Sequence, residues 1–113
     1  MRKHHTLNYL EFTAPDLEVI KKFYASAFGW EFTDYGDTYV AFTDGTMDGG
    51  FAKAATVQAS GVLPILFSDN LESSQKIVEE SDGIITKPIF SFPGGRRFHF
   101  TDPAGNELAV WAL

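Results

Sequence analysis

Polar side chains that could hold a ligand or move a proton recur at alternate positions in three stretches of this sequence. Glu11 stands between two apolar residues near the start, and His99 stands between two phenylalanines near the end. Glu107 and Trp111 occupy alternate positions of the last apolar stretch. Because successive side chains of a β-strand point to opposite faces, this alternation predicts a polar face backed by an apolar one.

Glu11 has the setting that is hardest to explain by structure alone, because an unpaired carboxylate is costly to bury. It is our candidate catalytic residue, a general base acting on an acidic C–H, since desolvation tunes a carboxylate toward neutrality. Two structural explanations stay open: an ion pair with Arg97 or Lys53, or exposure at the rim of a sheet. His99 has the simpler alternative of a structural histidine, and Trp111 that of a core or dimer-interface aromatic.

Few residues of this chain could bind a metal or act as a nucleophile. Glu11, His99 and Glu107 could together form a metal site, since carboxylate and imidazole are hard or borderline ligands. There is no cysteine and no serine in a G-x-S-x-G turn, so neither kind of nucleophilic site is expected. The adjacent His4 and His5 are expected to be solvated rather than metal-bound. The double glycines lack the strand–loop–helix context of a phosphate site.

Length and composition predict a single soluble domain. The chain has 113 residues, of which 44% are hydrophobic and 11 are phenylalanine, enough for a packed core. The net charge of −6 argues against a nucleic-acid binder, which needs a basic surface. No apolar run reaches the roughly 18 residues of a membrane span, and no signal-like segment follows the first residues. We therefore expect a cytoplasmic protein without nucleic-acid or membrane partners.

The elements that must position these side chains follow a repeated order. The first half predicts a strand at 7–13, a helix from Asp16 to Gly29, and strands at 30–33, 38–43 and 51–55. Asp16 suits a helix N-cap, and Gly29 suits a left-handed helix end. The remaining segments are predicted as a turn at 34–37, a loop at 44–50 and a linker at 56–61.

The second half repeats the pattern of the first. It predicts a strand at 62–68, a helix capped at Asp69-Asn70 and ended by Gly83, and strands at 84–86, 89–92, 97–101 and 107–112. Asp16 and Asn70 are 54 positions apart, as are Gly29 and Gly83. We interpret residues 1–113 as a single domain of two β-α-β-β-β modules, 6–55 and 62–113, neither able to bury its sheet alone. The predicted fold class is α+β, a cupped mixed sheet with helices outside.

The face of the predicted sheet away from the helices has the composition of a small-molecule site, an apolar floor with aromatic and polar side chains. Side-chain parity assigns to it Tyr9, Glu11, Thr13, Leu63, Ile65, Phe67, Glu107, Ala109 and Trp111, with Arg97 or His99. Trp111 and Tyr9 could stack on a planar or cationic ligand.

The order of several motifs resembles the vicinal oxygen chelate superfamily, also called the glyoxalase/bleomycin-resistance/dioxygenase superfamily, over nearly the whole chain. The resemblance is carried by residues 8–12, 15–17, 23–24, 27–30 and 101–106. It implies paired β-α-β-β-β modules that form a cupped sheet, usually completed or closed off in a dimer. On this basis we expect a homodimer.

The resemblance also bears on metal chemistry. The family's metal-dependent enzymes place four ligands, typically His, Gln or Glu, on the opening and closing strands of the modules. The resemblance puts these positions at Tyr9, Lys53, Leu63 and Ala109. Leucine and alanine have no donor atom, and a protonated lysine repels a cation. We therefore expect no metal and no other cofactor, which disfavours the family's lyase, dioxygenase and epimerase activities and stays compatible with its metal-free drug-binding proteins.

Our leading hypothesis is a protein whose cup binds a small, partly aromatic molecule. The residues predicted to contact that molecule are Tyr9, Glu11, Lys53, Ile65, Phe67, His99, Glu107 and Trp111. One alternative is a metal-dependent lyase, isomerase or dioxygenase of the same superfamily. The other is an assembly or interaction domain whose cup is filled by its own side chains.

Overall fold

The first half of the chain folds as one helix against a four-stranded sheet, which we call the N-terminal module. The computed structural model describes residues 4, 8–57 and 62–113. The elements of this module are β1 (Tyr9–Ala14), α1 (Leu17–Phe28), β2 (Glu31–Asp34), β3 (Tyr39–Thr43) and β4 (Asp48–Lys53). The strand order is β1-β4-β3-β2, with β1 parallel to β4 and the other pairs antiparallel.

The second half, the C-terminal module, repeats this arrangement. Its elements are β5 (Ile65–Phe67), α2 (Leu71–Glu80), β6 (Ile84–Phe92), β7 (Gly95–Thr101) and β8 (Glu107–Ala112). The strand order is β5-β8-β7-β6, with β5 parallel to β8. Two mixed sheets with one helix each confirm the predicted α+β class. The module limits 6–55 and 62–113 stay a prediction, because residues 6, 7 and 61 lie outside the described residues.

Both helices begin where the sequence places their caps. Asp16 accepts hydrogen bonds from the backbone amides of Glu18 and Val19, and Asn70 accepts one from the amide of Ser73. Gly29 ends α1 in the left-handed region at φ 73°. The end of α2 differs from the expectation, because Ser81 is its C-cap and the left-handed residue is Asp82, at φ 75°, rather than Gly83. Asp82 can do this because aspartate tolerates that region better than most residues.

An aromatic cluster between α1 and the N-terminal sheet forms much of the core. The ring of Trp30 stacks between Tyr24 and Phe42, with centroids 4.4 Å apart in each case. Phe12 stacks on Phe51 at 5.0 Å. Each fully buried side chain of this size contributes roughly 1.5–3 kcal/mol through the hydrophobic effect. Because Phe12 points into this core, its neighbours in β1 point to the opposite face of the sheet.

A buried polar group joins the two modules. Asp102, in the turn between β7 and β8, accepts a hydrogen bond from the hydroxyl of Tyr24 in α1 at 2.8 Å. Asn106 of the same turn donates to the carbonyl of Thr13 in β1 at 3.0 Å. Phe100 of β7 lies 6.1 Å from the ring of Phe23 in α1. The turn that carries the family resemblance therefore also connects the C-terminal module to the N-terminal one.

The largest departure from the predicted elements is in β4. We expected a loop at 44–50 and a strand at 51–55, whereas β4 is Asp48–Lys53. Gly49 and Gly50 lie inside the strand, where glycine marks a close approach of neighbouring groups. A Cβ at Gly49 would come within 2.3 Å of the Leu10 carbonyl oxygen, and one at Gly50 within 2.0 Å of the Tyr39 hydroxyl. These glycines are packing residues of a strand rather than loop residues.

The other predicted boundaries differ less. The strand predicted at 62–68 is limited to Ile65–Phe67, and the two strands predicted at 84–86 and 89–92 are one strand with two irregularities. The strand predicted at 107–112 is observed with those limits. Residue 7 of the first predicted strand, residues 58–61 of the predicted linker and His5 lie outside the described residues. Among the described residues, no helix is long and apolar enough to cross a membrane.

Candidate functional site

The N-terminal sheet carries a chain of hydrogen bonds on its face away from α1, which we call the N-terminal face. The hydroxyl of Tyr39 donates to the carboxylate of Glu11 at 3.1 Å. The hydroxyls of Tyr9 and Tyr39 are 2.5 Å apart. Because Tyr39 uses its one proton toward Glu11, Tyr9 must donate to Tyr39.

Gly50 explains why Tyr39 can reach both partners. The backbone of Tyr39 pairs with Ala52 of β4. Its side chain extends from there over Gly50 toward β1. Burial, together with the hydrogen bonds to Tyr9 and Glu11, raises the pKa of Tyr39 well above its ordinary value. The hydroxyl is therefore a proton donor throughout the physiological range.

Glu11 is an exposed carboxylate, which changes the interpretation drawn from the sequence. The ion pairs that we considered, with Arg97 or with Lys53, are absent from the described residues. The other alternative, exposure at the rim of a sheet, matches the position of Glu11 in the edge strand β1. Since Glu11 is not desolvated, the argument for it as a general base loses its physical basis.

The C-terminal sheet carries a buried imidazole on its own face away from the helices, which we call the C-terminal face. His99 Nδ1 lies 3.2 Å from a carboxylate oxygen of Glu107, and His99 is only 4% exposed. A carboxylate accepts hydrogen bonds, so Nδ1 carries a proton, and in the neutral imidazole Nε2 is then the acceptor. Nε2 is buried and has no hydrogen-bond partner within the described chain. An unpaired buried polar atom is uncommon and points to a missing partner.

Arg97 lies beside His99 on this face. The sequence predicted one of the two residues here, and the structure has both. Its guanidinium carbon lies 5.5 Å from the ring centre of Phe90 and 5.3 Å from that of Phe92. Its Nε is buried without a hydrogen-bond partner, and no carboxylate pairs with it among the described residues. The neighbouring Arg96 points to the opposite face and pairs with Glu72 of α2 at 2.5 Å. The fold therefore neutralises one arginine and leaves the next one available.

Apolar side chains border Arg97 at the β5–β8 side of the sheet. Phe67 meets Trp111 edge to face, with ring centroids 5.2 Å apart. Phe67 is 58% exposed and Ile65 is 46% exposed, although both are large apolar side chains of β5. Trp111 pairs with Phe67 on one side and with Arg97 on the other. A stacking surface is thus continuous with an unpaired cation.

Lys53 does not lie on the face where the sequence analysis predicted it. Lys53 has the same strand parity as Phe51, which faces the core, and it lines a separate polar depression with Asp16 and Asp37 at the end of β4. The error follows from the misplaced start of β4. Since Glu11 pairs with Gly50 as Ile65 pairs with Ala109, the residue equivalent to Ala109 in the N-terminal module is Gly50.

The donors required for a metal are missing from these positions. Ala109 and Gly50 have no ligating side chain, and the hydroxyl of Tyr9 is hydrogen-bonded to Tyr39, which occupies the space above Gly50. Across residues 4, 8–57 and 62–113 there is no group of three or more His, Asp or Glu side chains that could hold a metal ion. The alternative site from Glu11, His99 and Glu107 is therefore not assembled within one chain. These residues do not fit the metal of the family's enzymes.

Comparison with known proteins establishes the relationship that the motifs indicate. The model of the Glyoxalase/Bleomycin resistance protein/Dioxygenase superfamily matches residues 6–110. The chain belongs to this superfamily. A curated relative, "Putative glyoxylase CFP32" of Mycobacterium tuberculosis, is 27% identical over 94% of the chain. The chain spans about half of the length of that relative, 45%.

Solved structures share the superfamily fold with this chain at low sequence identity. The fosfomycin resistance protein FosX of Mesorhizobium loti has a TM-score of 0.82 at 15% identity, covering 98% of this chain and 94% of its own. A glyoxalase-related enzyme of Fulvimarina pelagi has the same score and identity, covering 96% and 88%. An integron cassette protein of V. cholerae has a TM-score of 0.71 at 22% identity, covering 99% and 98%. Similarity at this level shows a common fold and leaves function to the site.

Sequence reasoning missed three residues of these faces: Tyr39, Phe90 and Phe92. Tyr39 lies in a correctly located strand, but only the length of its side chain and the bare Gly50 bring it to Glu11. Phe90 and Phe92 reach Arg97 through irregularities in β6. The double glycine at 49–50 is the one feature of the sequence that could have indicated the position of Tyr39. No comparable feature indicates Phe90 or Phe92.

Proposed function

We propose that this superfamily member binds a small planar molecule with an anionic group, such as an aromatic carboxylate, on its C-terminal face and without a metal. The observation that carries the proposal is Arg97, whose guanidinium lies over the rings of Phe90 and Phe92 and has no carboxylate partner among the described residues. An arginine in such a position favours a carboxylate, because its fork of N–H donors matches the two oxygens.

The surroundings of Arg97 suit the planar part of the ligand. Trp111 and Phe67 offer a ring surface directly beside it, and exposed aromatic rings favour stacking or edge contacts with other rings. The unpartnered Nε2 of His99 would accept a hydrogen bond from a hydroxyl or amide group of the ligand. The ligand class is therefore a partly aromatic acid rather than a fully apolar molecule.

The names of the relatives are compatible with a small-molecule role. FosX is named a fosfomycin resistance protein, and another neighbour with a TM-score of 0.74 is named a lactoylglutathione lyase. We do not extend lyase chemistry to this chain, since Gly50 and Ala109 stand at the closing-strand positions of the two modules.

The test is a benzoate titration of the purified chain, followed by amide and indole chemical shifts in NMR. We expect saturable shifts at Arg97, His99 and Trp111. Replacing the guanidinium in Arg97→Gln should weaken benzoate binding roughly tenfold or more, because a hydrogen bond to a charged group contributes about 1.5–3 kcal/mol. The matched control is Arg96→Gln, which removes an arginine from the opposite face and should leave the affinity unchanged.

Two results would contradict the proposal. One is equal weakening by Arg96→Gln and Arg97→Gln, which would indicate attraction by net charge alone. The other is stoichiometric, tightly bound Zn, Ni, Mn or Fe in protein purified without a tag, which would contradict binding without metal.

A second candidate function is proton transfer by the same face, supported by the pair of His99 and Glu107. Glu107 would hold the imidazole so that Nε2 removes a proton from an acidic C–H, with Arg97 stabilising the resulting enolate. The proton would then return from the imidazolium to the substrate, as in an isomerase. The probe is phenylpyruvate in D₂O, with C3–H exchange followed by NMR. Exchange no faster than in buffer, or exchange that persists in His99→Gln, would exclude this candidate.

A further inference from the structure

The N-terminal face contains a depression that the proposed function does not use. Its volume is about 510 Å³, within the range of small-molecule sites. We call it the tyrosine depression; its lining residues are Tyr9, Glu31, Phe32, Thr33, Tyr35, Tyr39, Ala41, Phe42, Thr43, Asp48 and Gly49. We propose that the tyrosine depression binds an organic cation, an amine or quaternary ammonium group carried on an apolar body.

The first argument is the aromatic lining. Tyr9, Tyr35 and Tyr39 contribute three electron-rich rings, and a cation over such a ring gains about 0.5–2 kcal/mol. Tyr35 is 64% exposed and Tyr9 is 45% exposed, so their rings are available to a ligand rather than consumed by the core. Several tyrosines around one space are typical of sites that recognise ammonium groups.

The second argument is the charge of the lining. Glu31 and Asp48 are exposed acidic residues of the depression, and none of its lining residues is Lys, Arg or His. Neither carboxylate takes part in a salt bridge within the described chain. A cation would find two uncompensated negative charges there, whereas an anion would be repelled.

The third argument is the rigidity of one ring. Tyr39 is fixed by its hydrogen bonds to Tyr9 and Glu11 and lies across Gly50. A ring that is already held in place loses little rotamer freedom when a ligand binds. The fixed ring therefore provides a stacking surface at the edge of the depression. Because all these residues belong to the N-terminal module, the inference is independent of binding at Arg97.

The probe for this site is benzyltrimethylammonium, titrated into the wild-type chain with chemical shifts followed by NMR. We expect saturable shifts of Tyr9, Tyr35 and Tyr39 and none at Arg97. Benzyl alcohol, a neutral molecule with the same ring, should give much smaller shifts at the same concentration. Removing one charge in Asp48→Asn should weaken binding about three- to tenfold, and Tyr35→Ala should weaken it by a similar factor.

The matched control is Glu80→Gln, which removes an equivalent charge from an exposed position on α2. It should leave the affinity for benzyltrimethylammonium unchanged. Equal effects of Asp48→Asn and Glu80→Gln would show attraction by net charge alone and would overturn the proposal. Equal shifts with benzyl alcohol would overturn the choice of a cation. Loss of benzoate binding with retained benzyltrimethylammonium binding would reject the proposed function and leave this inference standing.

Discussion

At the scale of single residues, the family resemblance assigns a closing-strand metal ligand to Ala109, which has no donor atom, and its equivalent Gly50 has none either. The ring of Tyr39 lies where a side chain at position 50 would be. Its hydroxyl then binds Tyr9, which stands at an opening-strand position. A glycine and a long aromatic side chain thus act together, and neither alone would produce this arrangement.

Gly50→Ala tests this arrangement. The added Cβ would lie 2.0 Å from the Tyr39 hydroxyl, so the tyrosine must rotate away and lose its hydrogen bonds. We expect a loss of about 1–3 kcal/mol in the free energy of unfolding, measured by urea denaturation. The pKa of Tyr39 should fall, because its burial and its hydrogen bonds raise it in the wild type. Ultraviolet titration should then detect one more tyrosine ionising at lower pH, an effect that Tyr39→Phe abolishes. Unchanged titration would contradict the arrangement.

At the scale of elements, β6 determines the chemistry of the C-terminal face. Its pairing with β7 shifts between Ile85 and Lys87 and again between Lys87 and Phe90. These bulges leave Phe90 opposite Arg97 and Phe92 opposite Gly95, so that both rings reach the guanidinium. Bulges redirect side chains in this way without ending a strand. Pro88, which lacks an amide proton, lies within the second shift, between Lys87 and Phe90, where a proline is tolerated.

The cap of α2 provides a prediction at this scale. Asn70 accepts a hydrogen bond from the amide of Ser73, so Asn70→Ala should reduce the free energy of unfolding by about 1 kcal/mol. Asp69, the other residue predicted at this cap, is exposed one position earlier. Asp69→Ala is therefore the control and should change stability by less than half as much in chemical denaturation. The reverse ranking would assign the cap to Asp69.

At the scale of the whole molecule, a buried polar turn joins the two modules, which also meet through apolar contacts and through the hydroxyls of Ser26 and Ser81, 3.1 Å apart. Asp102 accepts from Tyr24, from the amides of Ala104 and Asn106, and from the side chain of Asn106. Burial raises the pKa of the Asp102 carboxyl, although these hydrogen bonds act in the opposite direction. Asn106 also reaches Thr13, so the turn contacts both α1 and β1.

Asp102 makes stability depend on pH with a defined sign. Because its folded pKa is raised above the unfolded value of about 3.9, the protonated form favours folding and ionisation opposes it. Its contribution is fully present below about pH 3.9 and is lost as pH rises through the folded pKa. As pH rises from about 3.9 through the folded pKa, the unfolding free energy of the wild type should therefore fall relative to that of Asp102→Asn. A difference that is constant with pH, or that changes in the other direction, would contradict this.

The sequence alone determined the features that depend on local pattern. The offset of 54 residues, the caps at Asp16 and Asn70 and the alternation in β8 predicted two β-α-β-β-β modules and the faces of their strands. These features are readable because helix ends and strand faces depend on residues close in the chain. Motif order then indicated the superfamily, which the family match confirms.

The tertiary structure alone decided which polar groups meet. It paired Tyr39 with Glu11, paired His99 with Glu107, left Arg97 without a carboxylate among the described residues, and moved Lys53 to another surface. Each of these outcomes depends on strand register, and register depends on bulges and bare glycines whose effect involves residues far apart in sequence. A shift of one residue moves a side chain to the other face of its sheet. For this reason composition and spacing predicted a site of polar and aromatic residues, and only the folded chain assigned them to two chemically different faces.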